Sequence, residues 1–189
     1  MLLYFNLSIY ILLFSFFSLS IFGYGYYLRE IIFNNKSKAI GENGLYGFIS
    51  LYILSVIFHF FFHLNIYFTL SILIFGSLLS IRILRKSISL INYKLKVILP
   101  FFLLILLLGA SNNPHDDVYL YQLPYISYLQ NQKLVFGLVN LNEFTAYSNS
   151  FYDIMGLFKI PILGNQTVYL IPTIFFMFFI IFLIKNYNE

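Results

Sequence analysis

The stretch LYGFISLYILSVIFHFFF, from Leu45 to Phe62, is apolar along most of its length and contains no Asp, Glu, Lys or Arg. A helix of about 20 such residues crosses the roughly 30 Å hydrocarbon core of a bilayer. Similar runs cover about Leu2–Phe22, Ile66–Ile81, Val97–Ala110 and Val168–Ile184. We therefore predict an all-α, polytopic integral membrane protein with about five transmembrane helices.

The composition of the whole chain also indicates a membrane protein. Of its 189 residues, 60% are hydrophobic and 10% are charged, whereas soluble domains carry about 25% charged residues. The net charge of +4 does not indicate a nucleic-acid partner, because the basic residues cluster beside apolar runs. Cysteine is absent, which excludes disulfides and thiolate metal sites.

Basic residues between the third and fourth apolar runs set the predicted orientation. These are Arg82, Arg85, Lys86, Lys94 and Lys96, with no acid among them. Short loops rich in Lys and Arg stay on the cytoplasmic side. We therefore predict that the N-terminus and residues 111–166 lie outside and that the C-terminus is cytoplasmic. Abundant Phe, Tyr, Ile, Asn and Lys are typical of an AT-rich bacterial genome, so the expected location is a bacterial inner (cytoplasmic) membrane.

The chain divides into three predicted regions. Residues 1–110 form a four-span transmembrane region, residues 111–166 an outer loop, and residues 167–189 a fifth span with a short cytoplasmic tail. The apolar content of the outer loop is too high for a simple linker. We expect it to carry amphipathic helices that lie at the membrane interface.

Two such helices are predicted in the outer loop. The first covers about Val118–Asn131, and Pro124 makes it start late or bend. The second covers about Phe151–Phe158, with Ser150 as its N-cap and Asp153 as the partner in a capping box. Its apolar residues share one helical face, as an interfacial helix requires.

The segment SNNPHDD, from Ser111 to Asp117, contains the most informative polar residues. Asp116 and Asp117 are adjacent where the chain is predicted to leave the membrane, beside His115, which can titrate near neutral pH. Paired carboxylates just outside a bilayer suit a general base or a metal ligand. An Asp here equally suits the N-cap of the following helix, so both interpretations stay open.

Two further groups of polar residues are candidates for binding. The segment from Lys133 to Asn142 contains Gly137, which permits a tight turn, and Asn140, and its amides suit the recognition of sugar hydroxyls. His59 and His63 have the i, i+4 spacing of metal ligands. No carboxylate lies near them in the sequence, and we expect no metal there.

Three motifs together resemble a known group of proteins. They are DDVYLYQLPYISYL at Asp116–Leu129, FGLVNLN at Phe136–Asn142, and YSNSF at Tyr147–Phe151. In sequence and spacing they resemble a group of poorly characterised polytopic bacterial membrane proteins, which is itself similar to the GT-C glycosyltransferases.

The resemblance implies a glycosyltransferase that acts in cell-envelope glycan assembly on a sugar donor linked to polyprenyl phosphate. Asp117 would be the base or a metal ligand, and Asp116 would support it; the metal would be a divalent cation, Mg²⁺ or Mn²⁺, at this pair. The residues implied in substrate binding are His115, Tyr121, Gln122, Lys133, Asn140, Asn142 and Asn149.

The chain departs from the pattern of that group at several positions. Gln122 and Asn142 stand where His is usual, Val139 replaces Gly, and Phe144 replaces Arg. Lys133 and Lys159 are the only bases predicted outside that could replace the lost cation. The resemblance implies about eight or more spans, against about five here. Three explanations stay open: an N-terminal piece of a longer enzyme, a split gene whose second polypeptide completes the fold, or a degenerate copy.

Two other functions remain open from the sequence. The chain could be a non-catalytic membrane subunit or an inactive remnant whose outer loop docks a protein partner, with Asp116 and Asp117 serving only as helix caps. A small transporter is the third alternative. It is disfavoured because we expect no charged residue within the spans, and ion-coupled transport uses such residues.

Overall fold

A computed structural model describes residues 2–34, 39–85, 118–137, 140, 149–163 and 166–187. All regular secondary structure in these residues is helical, which confirms the all-α prediction. The long helices are α1 (Leu2–Phe33), α2 (Ile40–Phe61), α3 (Ile66–Arg85) and α6 (Gln166–Tyr187). The short helices are α4 (Leu123–Asn131), which follows a π-helical turn at Val118–Gln122, and α5 (Ser150–Phe158), which is followed by a 3₁₀ turn at Pro161–Leu163.

Four described helices are long and apolar enough to cross a membrane, as expected for an integral membrane protein. The qualifying segments are Ser8–Phe33, Ile40–Phe61, Ile66–Leu84 and Thr167–Asn186. The predicted span Val97–Ala110 lies outside the described residues. The total of about five spans therefore stays a prediction.

The first two helices extend well beyond their apolar runs. The apolar runs end at Phe22 and resume at Leu45, which predicts a polar connection over residues 23–44, but α1 continues to Phe33 and α2 already begins at Ile40. Arg29 and Glu30 are good helix formers and do not interrupt α1. Asn34 then takes a left-handed conformation, with φ of 48°, which is a common way to end a helix.

Glycines bring the backbones of the long helices into direct contact. A methyl group added at Gly25 of α1 would overlap the carbonyl oxygen of Asn43 in α2, and one added at Gly47 would overlap that of Ile21. Gly23 of α1 faces the backbone of Gly76 in α3 in the same way. Close backbone approach through small residues is the usual mode of helix packing in membranes.

One end of the long helices is held by an ion cluster. Glu42 near the start of α2 forms ion pairs with Arg29 of α1 and with Lys185 of α6, the latter at 2.8 Å between Nζ and Oε1. The guanidinium of Arg29 also lies 5.9 Å from the ring centroid of Tyr46. These charged residues lie beyond the apolar runs that were predicted as spans, because the helices continue past those runs. Mutual pairing offsets the cost of burying these charges.

The short helices lie at the other end, where α2 ends and where α3 and α6 begin. The Leu64 N–H donates to the Leu129 carbonyl of α4 at 2.9 Å, and Thr69 Oγ1 of α3 donates to the Leu157 carbonyl of α5 at 2.7 Å. The Ile160 N–H donates to Thr167 Oγ1 of α6 at 3.1 Å. Polar atoms therefore connect α4 and α5 to α3, to α6 and to the connection between α2 and α3.

The first short helix agrees in part with its prediction. Helix α4 ends at Asn131, as expected, and Pro124 occupies its first turn, where the missing N–H carries no penalty. The residues before it form a π-helical turn rather than α-helix. The predicted helix is therefore irregular over Val118–Gln122, and regular α-helix begins at Leu123, one residue before Pro124.

The second short helix differs from its prediction in cap and in environment. Asn149, not Ser150, is the N-cap, and its side chain accepts a hydrogen bond from the Tyr152 N–H. All residues from Ile154 to Phe158 are buried, so this part of α5 is covered by protein rather than presenting one apolar face outward. The Phe158 ring lies 4.9 Å from that of Phe17 in α1, because α5 inserts among the long helices.

An aromatic cluster fixes the N-terminal turn of α5. The ring centroid of Phe151 lies 5.1 Å from that of Phe175 in α6 and 6.2 Å from that of Phe48 in α2. Phe48 and Phe175 are themselves 5.2 Å apart in an edge-on arrangement. Such aromatic pairs each contribute about 0.5–1.5 kcal/mol beyond the burial of their area. Helix α5 therefore packs between α2 and α6.

Candidate functional site

The structure describes five of the nine residues that the sequence predicted for the site. Asp116, Asp117, His115 and Asn142 lie outside the described residues. Tyr121, Gln122, Lys133, Asn140 and Asn149 are described. Their placement shows which parts of the motif region the fold holds in position.

Tyr121 and Gln122 belong to the π-helical turn that directly follows Asp117. The turn begins at Val118, whose side chain is buried in the hydrophobic core, whereas Tyr121 and Gln122 are half-buried. Gln122 immediately precedes α4 and makes no side-chain capping bond to it. Single π-turns are rare and occur frequently at functional sites. The residue after Asp117 is therefore anchored.

Lys133 and Asn140 lie on the chain that leaves α4. The Lys133 side chain is exposed, while its carbonyl accepts a hydrogen bond from the Tyr128 hydroxyl at 3.1 Å. Gly137 has φ of 77°, and the Asn140 N–H donates to its carbonyl at 2.9 Å. The predicted tight turn at Gly137 is confirmed.

Asn149 has a structural contact of its own. Its side-chain oxygen accepts the Tyr152 N–H at 3.0 Å, as the N-cap of α5. Ser150, predicted for this role, is the first residue of the helix instead. If Asn149 also binds sugar, as predicted, it must do so while its side-chain oxygen accepts the Tyr152 N–H.

The fold also brings together residues that the sequence did not pair. The Tyr125 hydroxyl of α4 donates to Asp153 Oδ1 of α5 at 3.1 Å. Burial raises the pKa of Asp153, and the hydrogen bond from Tyr125 only partly opposes this effect. Asp153 was interpreted as a partner in a capping box. The sequence contains no local signal that would join it to a tyrosine 28 residues away.

A second polar contact joins the same two helices. Lys159 Nζ, just after α5, donates to Ser127 Oγ at 2.9 Å, and burial lowers the pKa of Lys159. Gln130 Nε2 donates to the carbonyls of Lys159 at 2.7 Å and Gly156 at 3.2 Å. We refer to Tyr125, Ser127, Gln130, Asp153 and Lys159 as the α4–α5 seam.

Burial in this seam favours the neutral forms of both the acid and the amine. A carboxyl with a raised pKa can donate a proton at a higher pH than an exposed one, and an amine with a lowered pKa releases its proton more easily. Such groups are frequent at functional sites but also occur in structural networks.

The two histidines predicted to share a helical face do not share a site. His59 Nε2 lies 3.0 Å from the Gln132 carbonyl. His63 lies beyond Phe61, the last residue of α2, and its Nε2 is 3.2 Å from Asn65 Nδ2. Across the described ranges, no group of three or more His, Cys, Asp or Glu side chains could hold a metal ion.

Comparison with known proteins relates the whole sequence to one family. The sequence model of the family described as Domain of unknown function (DUF8201) matches residues 1–189. The chain belongs to this family. Neither the curated proteins nor the solved structures gave a match. The matched range therefore includes both the long helices and the motif region.

Proposed function

We propose that this chain is a GT-C-like membrane glycosyltransferase, or the N-terminal part of one that a second polypeptide completes. It would transfer a sugar from a polyprenyl-phosphate-linked donor in cell-envelope glycan assembly. The three motifs from Asp116 to Phe151 support the proposal through their resemblance to proteins similar to GT-C enzymes. Asp117 would be the catalytic residue.

The observation that carries the proposal is the anchored π-helical turn directly after Asp117. Val118 is buried, and the turn leads into α4, whose Leu129 carbonyl accepts the Leu64 N–H from the connection between α2 and α3. A base contributes to catalysis only if it is held close to the proton that it removes. The burial of Val118 supports the proposal, because Val118 directly follows Asp117 in the chain.

The proposed reaction is a displacement at the anomeric carbon of the sugar. Asp117 removes the proton of the acceptor hydroxyl, and the acceptor oxygen forms a bond to the anomeric carbon. The bond between that carbon and the phosphate oxygen of the donor breaks, and its electron pair leaves with polyprenyl phosphate. Asp116 would support Asp117, while His115, Tyr121, Gln122 and Asn140 contact the sugar.

The second role considered for the pair is to hold a divalent cation. Carboxylate oxygens are the hard ligands that Mg²⁺ and Mn²⁺ prefer, so the donor chemistry of Asp116 and Asp117 fits. When bound, the ion would neutralise charge on the donor phosphate. Lys133 and Lys159 are the outer-loop basic residues considered for that task, in place of the Arg that the related pattern has at position 144. Lys133 suits it better, because it is exposed, whereas burial disfavours the charged form of Lys159.

The proposed side of the membrane is the outer face of a bacterial inner membrane. In support, the ion cluster of Arg29, Glu42 and Lys185 lies at the end of the long helices away from the short ones. The basic segment from Arg82 to Lys96 favours the cytoplasm for its own end of α3. A lipid-linked donor in the outer leaflet could then reach the motif region without crossing the bilayer.

The test is the replacement Asp117→Asn, assayed for glycan transfer in membrane vesicles at matched expression. We expect transfer to fall about 10²- to 10⁴-fold, which is the usual contribution of a general base. Asp116→Asn is the matched control and should lose less activity, because Asp116 only supports its neighbour. Transfer at the wild-type rate in Asp117→Asn would refute the proposal.

A docking subunit is the second candidate, because some of the polar groups predicted for sugar binding are used structurally. Asn149 caps α5, and the Asn140 N–H closes the turn at Gly137. In this case Asp116 and Asp117 would only cap a helix, and Ser can replace Asp in that role. The double replacement by Ser separates the candidates, since function would persist in a docking subunit and be lost in the enzyme.

A further inference from the structure

We infer that the end of α2 and the chain that follows α4 form one lipid-binding surface, which inserts at the boundary between headgroups and acyl chains. We call this surface the aromatic anchor. It consists of Phe60, Phe61, Phe62, Val135 and Phe136. The inference does not depend on the proposed enzymatic function.

The rings of the aromatic anchor form two close pairs, Phe60 with Phe136 and Phe61 with Phe62, and the pairs are joined in sequence at Phe60–Phe61. Phe136 is 81% exposed, Phe61 68% and Phe62 62%, and the ring centroids of Phe136 and Phe60 are 5.9 Å apart. Single exposed apolar side chains are ordinary on any protein. A contiguous group of exposed phenylalanines instead marks a surface that another apolar phase covers.

Hydrogen bonds fix the chain after α4 against the end of α2. The Leu134 N–H donates to the His59 carbonyl at 3.0 Å, and His59 Nε2 lies 3.0 Å from the Gln132 carbonyl. The Tyr128 hydroxyl accepts the Val135 N–H at 2.8 Å and donates to the Lys133 carbonyl. These backbone groups are therefore paired, as non-helical chain near hydrocarbon requires.

Lipid is the occupant because the aromatic anchor continues a lipid-facing surface. Phe60 and Phe61 are the last residues of a helix long and apolar enough to span the membrane. Phe62, Val135 and Phe136 extend this apolar surface past the helix end, at the depth where a span meets the headgroups. The exposed Lys133 beside them can extend its ammonium group toward lipid phosphate.

The aromatic anchor would set the depth of the motif region in the membrane. The chain of the aromatic anchor is hydrogen-bonded to Tyr128 of α4 through the Lys133 carbonyl and the Val135 N–H. Helix α4 is in turn hydrogen-bonded to α5 through the α4–α5 seam. The short helices would therefore be held at the level of the headgroups. A lipid-linked phosphate lies at the same level.

Tryptophan fluorescence tests this inference, because the chain contains no Trp. Phe136→Trp, reconstituted in vesicles, introduces a single tryptophan into the aromatic anchor, which is excited at wavelengths where the 17 tyrosines do not absorb. Its emission is measured in lipids brominated near the headgroup end or near the terminal methyl of the acyl chain. Phe75→Trp is the control, since Phe75 is 57% exposed and lies at the middle of α3.

We expect bromine near the headgroups to quench Phe136→Trp at least about twofold more than deep bromine, with the reverse order for Phe75→Trp. Quenching of Phe136→Trp by aqueous iodide but not by brominated lipid would overturn the inference. Protection from both quenchers would also overturn it, because a second protein surface would then cover the site. Phe62→Trp provides an independent reporter of the same surface if Phe136→Trp does not fold.

Discussion

At the scale of single residues, the Tyr125–Asp153 pair shows what sequence reading missed. The motif acids Asp116 and Asp117 attracted the functional interpretation because their position after an apolar run is visible in the sequence. Asp153 acquires its raised pKa only from burial between helices that are distant in sequence. The choice of Asn149 over Ser150 as N-cap was equally invisible, since both residue types cap well.

The raised pKa of Asp153 predicts a pH dependence of stability. The native state binds the Asp153 proton more tightly than the unfolded state, so this residue costs no stability below about pH 4. The cost appears as the pH rises through the native pKa and is complete above it. Asp153→Asn should remove it, so the melting temperature of the variant relative to wild type should rise with pH.

Tyr125→Phe provides the matched comparison. The Tyr125 hydroxyl lowers the pKa of Asp153, so its removal should move the pH-dependent loss of stability to higher pH. Melting curves in detergent across the acidic range measure both variants. A constant difference between wild type and Asp153→Asn at every pH would show that Asp153 does not have a shifted pKa.

At the scale of elements, the hydrophobic runs predicted which helices exist but not where they end. Residues 23–44 looked like a polar connection because they contain Arg29, Glu30 and Glu42. Their helical extension depends on pairing of Glu42 with Arg29 and Lys185, which is a tertiary effect. The insertion of α5 among the long helices was also hidden, because its apolar face is equally suitable for an interface.

The crossing of α1 and α2 predicts a strong effect of small substitutions. Gly25→Ala places a methyl group against the Asn43 carbonyl, so the helices must separate. We expect a loss of about 1–3 kcal/mol in the free energy of unfolding, as for overpacked cores. The measurement is unfolding in mixed micelles of mild and denaturing detergent.

The control for that crossing is Ile49→Ala on the exposed face of α2, where 49% of the side chain is accessible. It removes apolar surface without affecting a helix contact and should cost less than Gly25→Ala. If the glycine variant is as stable as this control, the two backbones do not meet as closely as the structure indicates.

At the scale of the whole molecule, hydropathy alone predicted a helical membrane protein. Four described helices qualify as spans, and the runs that predicted them overlap all four. The contacts at the two ends of the long helices could not be predicted from the sequence. They include Thr69 with Leu157 and Glu42 with Lys185, which join residues 88 and 143 positions apart.

The central claim is that the motif-bearing short helices lie at the outer end of the membrane-spanning helices. The chain contains no cysteine, so Lys133→Cys gives a single thiol at an exposed position in that region. Ser87→Cys, in the basic segment between Arg82 and Lys96, is the counterpart on the predicted cytoplasmic side. We expect a membrane-impermeant maleimide to label Lys133→Cys in intact spheroplasts and to label Ser87→Cys only after permeabilisation. Labelling in the opposite order would contradict the account.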